Sequence, residues 1–161
     1  MATSLEELRV LREAESVADA IWKEVVGWDP FARKVIGGQL SRAADSIGAN
    51  IAEAFGRFHY GEKLQFLYYA RGSLFETKYW LNRTMARGLM APDQAQDHAT
   101  RLTDLARQLN SFAQSLRDQR RASHKRSSAV RETTPEYASD SPQFPLFNET
   151  ELEWLETVPN L

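Results

Sequence analysis

Two glutamates, three histidines and a scatter of arginines and lysines are the residues of this chain whose types could do chemistry. Glu53 and Glu76 fall in what read as the two central helices, where facing carboxylates could hold a pair of metal ions. Such sites also use Glu-x-x-His pairs, and none occurs. His59, His98 and His124 lie in three separate segments, none with a second histidine three or four residues away, so a helical zinc site is not indicated. Ser46 and Ser73 have no base nearby in sequence. Gly37-Gly38 lies within a helical pattern rather than after a strand, which argues against a phosphate-cradling loop. The expectation is a protein with no catalytic residue, no metal and no cofactor. Glu53 and Glu76 read instead as acceptors for Arg42, Arg57 or Arg71 in buried or half-buried ion pairs.

The cations suggest a different chemistry. Arg33 and Lys34 open the second helix, Arg57 and Lys63 flank the following turn, and Lys78, Arg83 and Arg87 lie on the third helix. Arg117, Arg120, Arg121, Lys125 and Arg126 crowd the end of the fourth. Scattered cations usually cover a solvated surface, and bases near a helix C-terminus suit its dipole. Gathered across several subunits, the same residues would form a positive ring able to hold phosphates.

The elements that carry these residues are helices. Ser4-Leu-Glu-Glu7 reads as a capping box, after which Val10, Ala14, Val17, Ala18, Ile21 and Val25 recur with helical period. Asp29-Pro30 restarts the chain with a capping acid and a proline at the first helical position. The second helix is predicted over 30–56, despite Gly37, Gly38 and Gly48, each costing about 1 kcal/mol relative to alanine. Close helix contact must offset that cost. Its polar stripe of Arg42, Ser46, Asn50, Glu53 and Arg57 is expected to face inward and to find partners there.

The third helix is predicted over 62–87, ended by Gly88; Pro92 opens the fourth, with Leu102, Leu105, Ala106, Leu109, Phe112, Ala113 and Leu116 on one stripe. Long helices joined by short turns predict an all-α fold, an antiparallel up-down-up-down four-helix bundle over 4–121. Phe66, Tyr68, Tyr69, Phe75, Tyr79 and Trp80 cover the sides of the third helix away from its core leucines. A homo-oligomer interface is the natural place for that surplus, half-exposed tyrosines being the alternative.

Size and charge set the bounds. A chain of 161 residues supports one domain with a proper core. There is no cysteine, excluding disulfides and thiolate zinc sites; no apolar run is long enough to span a membrane, and the N-terminus carries no export signal, so a cytoplasmic protein is expected. Residues 1–121 hold 17 Lys/Arg against 15 Asp/Glu, whereas 132–161 hold seven acids and no base. Residues 122–161 therefore read as a flexible linker and a mostly irregular acidic, aromatic tail. Within it, 149–158 could form about two helical turns.

The pattern Gln39-Leu-x-Arg-Ala-Ala-x-Ser-Ile-x-x-Asn-Ile-Ala-Glu-Ala-x-Gly-Arg57, followed by Phe66-Leu-x-x-Ala-Arg-Gly-Ser-x-x-Glu76, resembles the four-helix-bundle proteins encoded in intervening sequences of large-subunit ribosomal RNA genes. The resemblance covers roughly residues 8–116, with Ala54 where the family usually has glycine. It implies a homopentameric barrel and no catalytic residues. It extends to the accessory variability determinant of diversity-generating retroelements, a basic pentamer that binds nucleic acid and a reverse transcriptase.

The expectation is a non-enzymatic homo-oligomer that binds RNA, or an RNA–protein complex, through its cations. The alternative is a scaffold whose tail docks a partner protein through Phe144, Phe147, Trp154 and Leu155, or folds back on the chain's own basic surface.

Overall fold

Five helices make up the described parts of the computed structural model, which are residues 5–128 and 144–159. No strand occurs among the described residues. We label the helices α1 (Leu5–Val25), α2, α3 (Tyr60–Ala86), α4 (Pro92–Ser128) and α5 (Glu149–Glu156). Helix α2 opens as Pro30–Ala32, widens into a π-turn over Arg33–Gly37 and continues as Gly38–Gly56. The capping box expected at Ser4 lies outside the described residues.

Local chemistry sets the helix ends. Asp29 Oδ1 accepts from the backbone N–H groups of Phe31 and Ala32, both at 3.0 Å, and Pro30 occupies the position where no N–H is needed. At the end of α3 the Gly88 N–H donates to Met85 O and the Leu89 N–H to Thr84 O, each 3.0 Å, with Gly88 at φ 70°. That is the double-bonded stop in which a left-handed residue is required, and glycine meets it without strain.

Consecutive helices pack side by side: α1 on α2, α2 on α3, α3 on α4, and α4 back on α1. Every member of the apolar stripes expected on α1 and α4 is buried. Leu40, Ile47, Ile51 and Ala54 of α2 meet Leu64, Leu67, Leu74 and Leu81 of α3 in the same core, and Ala43 is buried as well.

The polar stripe of α2 does not face inward. Arg42 and Glu53 are exposed, while Ser46 and Asn50 satisfy themselves largely on their own helix. Ser46 Oγ donates to Arg42 O at 2.7 Å, and Asn50 Nδ2 to Ser46 O at 2.8 Å, with a longer reach to Ser73 Oγ at 3.4 Å. Apolar residues alone line the α2 core face, so this stripe sits at its rim.

Of Gly37, Gly38 and Gly48 inside α2, only Gly37 needs to be a glycine. A Cβ there would lie 2.5 Å from Val25 Cγ1, because the π-turn presses against the last turn of α1 and Trp28. At Gly48 a Cβ would meet Ala14 Cβ at an ordinary 3.7 Å. Gly37→Ala should therefore lose about 1–2 kcal/mol, overpacking outweighing the propensity gain, while Gly48→Ala gains up to about 1 kcal/mol. Urea unfolding of the two variants checks both signs. A Gly37→Ala midpoint at or above that of the unmodified chain would contradict the close approach.

Candidate functional site

The expected phosphate-binding residues separate into two groups at opposite ends of the helices. Phe55 near the end of α2 stacks on Phe112 of α4 with centroids 5.8 Å apart, and Arg117 reaches Tyr68 Oη at 3.5 Å. The α2–α3 turn, with Arg57 and Lys63, therefore lies beside the later part of α4, where Arg120 and Arg121 follow. Glu24 at the end of α1 meets His98 near the start of α4, Nε2 to Oε1 3.3 Å. Arg33, Lys34, Arg83 and Arg87 stand on the ends of helices nearest that other pole.

Helix α4 runs on beyond its last buried residues. Its last buried core residue is Leu116, followed by the buried Arg117, yet the helix continues to Ser128. The flexible linker expected from residue 122 is instead helical as far as Ser128: Ala, Gln, Arg and Lys are good helix formers, and the polar stretch keeps the helical course. The overhang carries Arg120, Arg121, Lys125 and Arg126 with no acid among residues 119–128. Residues 121–127 are exposed throughout.

Two of the expected phosphate ligands are not on this surface. Arg117 is only 7% exposed, and Lys78 is fully buried beneath the C-terminal segment. Lys78 Nζ donates to Asn82 Oδ1 and to Thr157 O, both at 2.8 Å, and lies 5.4 Å from the Trp154 ring. Burial lowers its pKa from 10.5 to about 8, with Glu156 opposing. Because the folded pKa is depressed, the folded chain releases this proton before the unfolded chain does, and stability should rise between pH 8 and 10.5. The gain is up to about 3 kcal/mol, and Lys78→Met should flatten it. Denaturation of both chains across that range measures the difference; parallel profiles would remove the lysine as the cause.

The segment over Lys78 is the acidic tail, and it is clasped to α3 and α4. Asn110 of α4 holds the main chain of Phe147 at both of its polar groups: the Phe147 N–H donates to Asn110 Oδ1, and Asn110 Nδ2 donates to Phe147 O, each 2.8 Å. Arg71 of α3 donates to Leu146 O and pairs with Glu151, both at 2.5 Å. Gln96 Nε2 donates to Glu156 O, and Thr100 Oγ1 to Glu156 Oε1, each 2.8 Å. Asn148 and Glu151 form the capping box that starts α5.

Phe147 and Leu155, expected as anchors for a partner, are therefore corrected to core residues, 1% and 0% exposed. Phe75 of α3 stacks on Phe147 and Trp154 with centroids 5.6 and 5.7 Å away, so part of the aromatic surplus of α3 is covered by the chain itself. Only Phe144 and Trp154 of the four remain open, at 73% and 42%. Nothing in the residue types of Asn110, Gln96 and Thr100 singled them out. Their role comes from facing a segment 37 to 60 residues later.

Glu53 finds Arg57 as expected, though at the surface rather than buried, and the other ion pairs differ. Glu53 pairs with Arg57 on the surface of α2, an exposed i,i+4 pair of about 0.3–0.5 kcal/mol. Arg57 also lies over the Phe66 ring, 4.7 Å from its centroid. Glu76 is exposed and takes the Trp80 indole at 3.4 Å, and Arg71 has gone to Glu151. Arg42 reaches into solvent. Among the described residues no group of three or more His, Cys, Asp or Glu could hold a metal ion, and no helix is long and apolar enough to cross a membrane.

No curated protein matches the chain. The model of one family, the 23S rRNA-intervening sequence proteins, matches residues 6–111. That span takes in nearly all of α1, the whole of α2 and α3, and the first half of α4, and leaves out the overhang and α5. It covers about two thirds of the 161 residues, and on it the chain belongs to the 23S rRNA-intervening sequence protein family.

Proposed function

We propose that this protein is a non-enzymatic, homo-oligomeric helical bundle that binds structured RNA through cations at its helix ends. The four long helices run up-down-up-down, as their short connections and neighbour packing support. The observation that carries the reading is the α4 overhang. Some ten residues of helix with four cations and no acid extend past the core. Burial in the chain does not require these turns, and they stand beside Arg57 and Lys63. A rod of positive charge of this kind fits between phosphates. The family's name refers to 23S rRNA, which makes ribosomal RNA the first probe. An RNA–protein complex, such as a reverse transcriptase assembly, would offer the same phosphates.

Assembly would bring several such rods together. Trp22, Val26, Phe31 and Val35 are 44–76% exposed at the α1–α2 end, and Tyr69 and Tyr79 are half-exposed on α3. Apolar surface of this kind, less than the whole aromatic surplus of α3, is what a second copy would cover. Light scattering coupled to size exclusion is expected to give a multiple of 18.4 kDa, fivefold for a pentamer. A gel shift with a 23S rRNA fragment across a salt series tests binding. The absence of salt-sensitive binding at micromolar protein would end the RNA reading.

A further inference from the structure

Both ends of α5 are gripped by side chains of the bundle. At its start, Asn110 reads the Phe147 backbone and Arg71 reads Leu146 O and Glu151. At its finish, the carbonyls of Glu156 and Thr157, which a helix end leaves without partners, receive Gln96 and Lys78. Between the grips, Leu146, Phe147, Leu152 and Leu155 are all at most 3% exposed. Four glutamates and no base accompany them in 144–161, against Arg71 and Lys78 in the groove. This is the chemistry by which a groove recognises an acidic amphipathic helix.

The linking chain does not confine α5 to its own groove. Residues 129–143 number fifteen and can span up to about 50 Å. Pro145 lines one cavity with Gln114 and Asp118, about 15–21 Å back along α4 from Ser128. The available length is more than twice that distance. Helix α4 also carries the chain about 18 Å past Leu116, its last core residue, away from its own groove.

We propose that the α3–α4 groove is a recognition site for an acidic amphipathic helix, and that in the assembled protein its occupant is α5 of a second copy. The exchange rests on the homo-oligomer proposed above. It requires no contact beyond those already described, because an identical groove offers identical partners. Arg71, Lys78, Gln96, Thr100 and Asn110 lie within the span matched by the family model, whereas the whole occupant lies beyond it.

The test uses the full chain, which has no native cysteine. Gln114→Cys and Pro145→Cys, both at exposed positions lining the same cavity, are introduced together and treated with a short bismaleimide. Exchange predicts covalent dimers and a ladder of longer products on a denaturing gel. Adding Asn110→Ala should remove the ladder. Light scattering on the same sample reports assembly separately. Intrachain cross-links alone in an assembled sample overturn the exchange and leave the oligomer standing. A single-chain mass overturns both. A ladder that survives Asn110→Ala, or the absence of any cross-link, overturns the seating of α5 in the groove.

Discussion

Phe147→Ala is expected to cost the clasp about 3–5 kcal/mol and to release α5 from α3 and α4. Phe147 is 1% exposed, its ring stacks on Phe75, and the Arg71 guanidinium lies 5.7 Å from its centroid. Truncation would leave a cavity between α3 and α4 that the short α5 cannot close by shifting, because it is tied at both ends. The loss has a ceiling. Once α5 is off, further damage to the clasp no longer registers in the unfolding of the remaining helices. Two probes should therefore separate. A glutamate-specific protease, which can cut at Glu149, Glu151 and Glu153 only when the segment opens, should act on the order of a hundredfold faster. The far-UV circular dichroism midpoint should move less. Asn110→Ala should act in the same direction by about 2–4 kcal/mol, since it strands the N–H and C=O of Phe147. The two substitutions should be non-additive. Unchanged protease susceptibility in both variants would mean that α5 is not held as described.

Neutralising the α4 overhang should have the largest effect on RNA affinity. The variant Arg120→Gln, Arg121→Gln, Lys125→Gln, Arg126→Gln keeps helix propensity and removes four charges. If each cation displaces one counterion, the slope of log K against log salt should fall in magnitude by about 3. Affinity near physiological salt should drop on the order of a hundredfold. The matching change at the opposite pole, Arg33→Gln, Lys34→Gln, Arg83→Gln, Arg87→Gln, discriminates between the two groups. An equal loss from both would mean that the RNA spans the length of the molecule. A loss only from the second would move the interface to that end. Mass by light scattering must stay constant in each variant for the comparison to hold.

Much of this architecture is legible in residue spacing alone. The stripes of α1 and α4 are read correctly because a core face repeats every three to four residues and little else disturbs it. Asp29-Pro30 and Gly88 mark the start of α2 and the end of α3 because capping and left-handed backbone are local requirements. What escapes is set by distance in sequence. Lys78 looks like a surface lysine until Thr157, 79 residues later, receives its amine. Arg71 has Glu76 five residues away and chooses Glu151. The π-turn brings Gly37 against Val25, a contact between two elements. The overhang of α4 escapes for the opposite reason: its polar, aperiodic sequence resembles a linker, but helix propensity needs no apolar stripe. For the candidate site, residue types alone could not tell cations that meet solvent from those that meet the tail.

The two-ended grip on α5 gives the chain an internal clock. An eight-residue helix has almost no stability alone in water, so its amide hydrogens are shielded only while it is seated. Deuterium should enter α5 as a block, in one cooperative sub-global opening, well before it reaches Ile47, Leu74 or Leu105. The pace of that early labelling would read out how often the groove stands empty, without any ligand having to be known.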